Sequence, residues 1–165
     1  MIALKHIVVA TDFGEAASNA LAYGRELARR FDARLHILHV VDDLAARMMT
    51  GTGLLYNPGA TEAALEVARK RLNVLVTEQD RRELQVDTAA VAGTAPATEI
   101  TNYAGQVAAD LIVLGTHGRG PIGHMLMGNV AEHVVRSAPC PVLTVHRRER
   151  EFIQPDALQT VSAIH

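Results

Sequence analysis

Five glycines fall between residues 115 and 128, at positions 115, 118, 120, 123 and 128, directly behind the apolar run "DLIVLG". Glycine has no Cβ, so its backbone N–H can face a bound group at close range. Successive inward N–H groups make a concavity suited to an anion. A helix starting near Gly128 would add the positive end of its dipole. In "GNVAE", Asn129 reads as the helix N-cap, and Glu132 stands three residues on, as a capping box requires. The chemistry implied is a cradle for a polyphosphate. Two other readings stay open. "GRGPIG" (118–123) matches the dinucleotide pattern G-x-G-x-x-G, although that pattern normally opens a helix at once, after the first strand. Tight turns alone would also use glycine. A P-loop is excluded, since G-x-x-x-x-G-K-[ST] does not occur.

Such a cradle has to be held by regular elements, and the chain alternates strand and helix. "HIVVAT" (6–11), "RLHILHVV" (34–41), "QVDTAAVAG" (85–93), "DLIVLG" (110–115) and "CPVLTV" (140–145) read as strands. Their near-continuous apolar runs suit strands covered on both faces. The third is the least apolar and is expected at or near an edge. Helical spacing joins Ala17, Ala20, Leu21, Gly24, Leu27, Ala28 and Phe31, and again Leu65, Ala68, Leu72, Leu75 and Val76, backed by Arg69, Lys70, Arg81 and Arg82 on other faces. A further helix follows Pro96, and another covers about 129–137. Residues 44–60, with three glycines and a proline, read as a long loop. Helices between strands imply parallel pairing by right-handed crossovers. The expected fold is therefore an open α/β sheet with helices on both faces: one domain over 1–146, then a tail over 147–165.

The composition suits a single domain with a real core: 165 residues, 48% hydrophobic and 21% charged. A net charge of −2 gives no large basic surplus to draw in nucleic acid or an anionic membrane. The N-terminal residues do not read as a signal peptide, nor any stretch as a membrane span, so the expected location is cytoplasmic. The single cysteine, Cys140, reads as a structural thiol in a reducing compartment, with a reactive thiol as the other reading. His117, His124 and His133 are dispersed, and His36 and His39 point to opposite faces of a strand, so no metal site is expected.

Gly115, Gly118 and Gly128 are spaced like the G-x2-G-x9-G-[ST] signature of universal stress proteins. "VVATDFGEAASNAL", "DLIVLGTHGR", "GNVAEHVVRSAPCPVLTV" and the Gly93–Pro96–Ile100 spacing also resemble that family, over residues 3–146. The resemblance implies a five-stranded parallel sheet of order 3-2-1-4-5 and, in ATP-binding members, a nucleotide at its carboxyl edge. It implies that Ala10, Thr11 and Asp12 hold the adenosine and that Val40 or Val41 meets the adenine. Gly115, Gly118 and Gly128, with the backbone of Asn129, Val130 and Ala131, would hold ribose and phosphates. His117 and Arg119 join this candidate site, Arg119 through its bidentate fork. Each residue has a plainer reading: Asp12 as a helix cap, the valines as core, Arg119 as a solvated loop residue. Mg²⁺ would enter only with the phosphates.

Asn129 departs from the pattern, since it stands where a hydroxyl is usual. No activated nucleophile or acid–base pair is evident, so any ATP hydrolysis or self-phosphorylation would be slow. The function implied is a cytoplasmic stress-response protein, a nucleotide-gated homodimer joined through the last strand (140–145), with a further protein partner unnamed. The alternative is a dimeric interaction module of the same fold that binds no nucleotide.

Overall fold

The computed structural model describes residues 2–43, 58–116 and 128–146. Five strands, β1 (His6–Ala10), β2 (Arg34–Asp42), β3 (Val86–Gly93), β4 (Leu111–Gly115) and β5 (Val142–Val145), form one sheet in the order β3-β2-β1-β4-β5. Every pairing is parallel, with Ala10 beside Leu38 on one flank and beside Leu114 on the other. The expected sheet and its order hold. β3 lies at an edge, and none of its residues is fully buried.

Among the described residues five helices surround the sheet: α1 (Glu15–Phe31), α2 (Pro58–Leu75), α3 (Glu78–Glu83), α4 (Pro96–Gln106) and α5 (Asn129–Ser137). Strand alternation divides the core into two layers. Ile7, Val9, Leu35, Ile37 and Val113 pack with Ala20 and Leu21 of α1 and Leu72 of α2. Val8, Leu38, Ile112 and Leu114 pack on the other face with Ile100 and Ala104 of α4 and Val134 of α5. Each central strand buries both faces, which is why β1 reads as an unbroken apolar run. Gly24 lets α1 lie close on β1, because a Cβ there would stand 2.3 Å from Val9 Cγ2.

Three local expectations change. α2 begins at Pro58, inside the expected loop; residues 44–57 and the tail, 147–165, lie outside the described residues. Asn129 is the first residue of α5 rather than its cap. Gly128 takes the cap position, because its extended backbone lets its carbonyl accept Glu132 N–H at 3.0 Å while its own N–H donates to the Thr116 carbonyl. α3 is a separate short helix, where Arg81 and Arg82 were expected on the polar faces of the same helix as Leu65 to Val76. Its signal is "TEQD": Thr77 Oγ1 accepts from Asp80 N–H and Asp80 Oδ2 accepts from Thr77 N–H, each at 3.0 Å. Among the described residues no helix is long and apolar enough to cross a membrane.

The fully buried Asp80 carboxylate does more than cap α3. It accepts from Arg25 Nε at 2.9 Å and lies 3.3 Å from Arg29 Nη2, while Arg29 Nε also meets Glu83 at 2.8 Å. These contacts clamp α3 to α1. Removing the carboxylate takes the shared partner from two half-buried arginines and uncaps α3. Asp80→Ala should therefore lower unfolding stability by about 3 kcal/mol, read as a fall in the urea midpoint; a change within 0.5 kcal/mol, the usual range at about any surface site, would refute the clamp.

Candidate functional site

β1 and β4 are neighbours, yet their onward connections lead to opposite sides of the sheet. Their carboxyl ends thus border the switch point where an open α/β sheet leaves a crevice. A cavity of about 310 Å³ lies there. Ala10, Thr11 and Asp12 from the end of β1, Leu38, His39 and Val40 from β2, and Leu114, Gly115 and Thr116 from β4 line it, with Ala17 of α1. Pro96 and Ile100 of α4 form a further wall, and Gly128, Asn129, Val130 and Ala131 close it.

The apolar and polar linings are separate. Ala10, Leu38, Val40, Pro96, Ile100 and Leu114 make an apolar slot. Across from them, the first turn of α5 presents backbone donors. Gly128 N–H is engaged by Thr116 and Glu132 N–H by Gly128. The N–H groups of Asn129, Val130 and Ala131 come before the first intrahelical bond, and the cap supplies no side-chain partner. Three main-chain donors and a helix dipole therefore converge on one wall.

The β1 turn is built by its own side chains. Thr11 Oγ1 accepts from Phe13 N–H at 3.0 Å, and Asp12 Oδ1 accepts from Gly14 N–H at 2.8 Å. Phe13 takes a left-handed backbone, φ 62°, and its ring packs away on His39 with centroids 4.5 Å apart. Arg71 lies over the other side of that ring, 3.8 Å from its centroid. The Asp12 carboxylate is thereby spent on a turn at one oxygen, not on capping α1, whose N-cap is Gly14. Its second oxygen, Oδ2, makes no hydrogen bond within the described residues. His39 Nδ1 lies 2.7 Å from the Thr11 carbonyl oxygen, which can only accept, so Nδ1 carries the hydrogen. That bond ties the β1 turn to β2.

Most of the sequence-derived residues come together: Ala10, Thr11, Asp12, Val40, Gly115, Gly128, Asn129, Val130 and Ala131 share this one cavity. Val41 does not. Strand alternation sends it to the opposite face, where it lines a shallower hollow with Phe13 and Arg71. His117, Gly118 and Arg119 lie outside the described residues. His39, Thr116, Pro96 and Ile100 were not among the expected site residues, although the Gly93–Pro96–Ile100 spacing already marked two of them. Among the described residues no group of three or more histidine, cysteine, aspartate or glutamate side chains is placed to hold a metal ion. Cys140 is half-buried just before β5, and burial pushes its thiol pKa up, with Asp110 adding to the rise.

An open parallel sheet of this order, with a crevice at its switch point, defines a Rossmann-like α/β domain. The universal stress protein family model matches residues 3–146, and the chain belongs to that family. It is similar to a universal stress protein of Methanocaldococcus jannaschii, 32% identical over 149 residues, which are 89% of this chain and 85% of that protein. A solved protein of the family from Burkholderia pseudomallei is 30% identical, with a TM-score of 0.67 over 86% of this chain and 96% of that one. A solved universal stress protein in complex with cAMP is 25% identical, with a TM-score of 0.59 over 89% of this chain and all of that one.

Gly115 has a packing duty besides its place in the wall. A Cβ there would stand 2.7 Å from the Ala16 carbonyl carbon and 2.9 Å from its oxygen. Main chain cannot yield as a flexible side chain does. Gly115→Ala should lower the stability of the ligand-free protein by about 1–3 kcal/mol, the usual cost of overpacking. Thermal denaturation without ligand checks this, and an unchanged melting temperature would remove the packing role.

Proposed function

We propose that this protein binds an adenine nucleotide in the switch-point cavity and works as a nucleotide-gated regulatory homodimer in the cytoplasmic stress response. The observation that carries this reading is the pairing, in one cavity, of an apolar slot with three amides at a helix N-terminus that have no partner among the described residues. A purine is a flat, largely apolar ring, and its phosphates need oriented donors. Val40, Leu38 and Ile100 would face the base, and Asp12 Oδ2 would accept from a ribose hydroxyl. Asn129, Val130 and Ala131 would donate to phosphate oxygens, and the Asn129 carboxamide could add a donor where relatives use a hydroxyl. The cAMP complex of the related stress protein supports the ligand class. ATP is the nucleotide the signature favours, with Mg²⁺ held by its phosphates and Arg119 and Gly118 completing the cradle.

Calorimetry on nucleotide-stripped protein tests this. ATP with Mg²⁺, and separately cAMP, should release or absorb heat with one-site stoichiometry, and Asn129→Ser should bind equally well or more tightly. No heat and no thermal shift with either nucleotide at millimolar concentration would leave the interaction-module reading in its place.

The dimer belongs to the same proposal. Within the described sheet β5 pairs with β4 alone, leaving its other edge open. An open apolar strand edge favours pairing with another chain. Sedimentation equilibrium should give twice the chain mass, and a charge placed by Val142→Glu should shift it to the monomer. A monomer at all concentrations would end the proposed assembly.

A further inference from the structure

The cavity occupies one end of the sheet; a second polar cluster occupies the other. His36, on β2, is 4% exposed, and both of its ring nitrogens are engaged. Nε2 lies 3.1 Å from His6 Nδ1 on β1, and Nδ1 lies 3.3 Å from the Tyr103 hydroxyl on α4. The two imidazoles stack with centroids 5.4 Å apart, and Tyr103 meets His36 edge-on at 6.0 Å. Asp87 of β3 faces the same ring, with Oδ2 3.7 Å from His36 Nδ1, but is itself held by Arg34 at 3.0 Å. His6 is fixed from behind, where its backbone N–H donates to Asp110 at 2.9 Å, beside Lys5 N–H at 2.7 Å.

We propose that His6, His36 and Tyr103 form a proton-sensitive latch that holds α4 against the sheet and so governs the shape of the switch-point cavity. Proton counting gives the reason. When both rings are neutral, one hydrogen lies between His6 Nδ1 and His36 Nε2, and one between His36 Nδ1 and Tyr103. One added proton can be accommodated, with His36 donating at both ends. A second sets N–H against N–H across 3.1 Å, and the pair must separate. Even the first is resisted. Burial lowers the His36 pKa from its ordinary 6.5; Asp87 pulls it back up, and His6 and Arg34 lower it further. Well above 6.5 a histidine whose folded pKa is depressed is neutral in the folded and unfolded chain alike, and pH has no purchase on it. Below that value the unfolded chain binds more protons, so stability falls as pH falls.

The latch reaches the cavity through three elements. β1 runs from His6 to Ala10 and β2 from His36 to Val40, each about 13 Å along the strand. α4 carries Tyr103 one turn beyond Ile100 and two beyond Pro96, both cavity walls. Loosening α4 at Tyr103 therefore shifts the apolar slot, and by linkage a ligand that fills the slot opposes protonation.

The effect on ligand affinity rests on the nucleotide reading; the effect on stability does not. Imidazole NMR on the full chain should show His36 titrating below the ordinary histidine range. Between pH 7.5 and 5.0, affinity for cAMP should weaken about tenfold, the equivalent of one pKa unit, and the urea midpoint should drop. His36→Gln keeps two hydrogen-bonding ends without titrating, and should hold affinity to within about twofold over that range, with a smaller midpoint shift. Tyr103→Phe leaves His36 able to titrate but uncoupled from α4. Its midpoint should still respond to acid, while its affinity should not, and this variant serves if the buried glutamine prevents folding. Equal acid responses of affinity in the native chain and in Tyr103→Phe would overturn the latch, as would a His36 titration at the ordinary value. If cAMP does not bind, ATP with Mg²⁺ is titrated in its place; if neither binds at either pH, the nucleotide reading falls, and the midpoints of the native chain and His36→Gln still decide whether the cluster senses acid.

Discussion

The parallel ladder between β1 and β4 sets the geometry of everything else. Ala10 stands beside Leu114, so the turn after β1 and the segment after β4 leave the sheet next to each other. The chain then runs from β1 toward β2 and β3, and from β4 toward β5, so the connections after the two strands diverge to opposite faces and leave a crevice at their carboxyl ends. Asp12 and the first turn of α5, far apart in sequence, are brought to a common space by this pairing. A sheet in a different order would keep every strand buried and still scatter these groups.

The strands meet the solvent differently at their two ends. The centres of β1 and β4 are wholly apolar, with Ile7, Val8, Val9, Ile112 and Val113 excluded from water. Polar side chains that border these two strands are held by named partners: Thr11 and His39 toward the carboxyl ends, His6 and His36 toward the amino ends. Asp80 shows the same economy among the helices, where a fully buried carboxylate is met by a helix N-terminus and two arginines at once. Burial without pairing would be costly at each of these sites.

Much of the fold could be read from the residues alone, because strands buried on both faces leave a signal in composition and helices leave one in spacing. The exceptions have physical reasons. α3 is six residues long, too short for periodicity to show, and only the Thr77 capping pair marks it. The helix cap at Gly128 rather than Asn129 depends on a hydrogen bond to Thr116, a contact across sequence that local preference cannot anticipate. Val41 was coupled with Val40 because both end a strand, yet only one side chain in two can face a given layer. His39 and Thr116 were silent for a different reason: a side chain at a strand end joins a cavity only through the neighbours that the tertiary fold supplies.

The crowding of Gly115 against the Ala16 backbone has a consequence for how such chains are compared. A relative that lost its small-molecule partner would still keep this glycine, since the first turn of α1 could not otherwise settle on β4. Its presence in a signature therefore reports architecture before it reports occupancy. Positions free of structural duty, such as the exposed carboxamide at 129, are where a change of ligand would leave its trace.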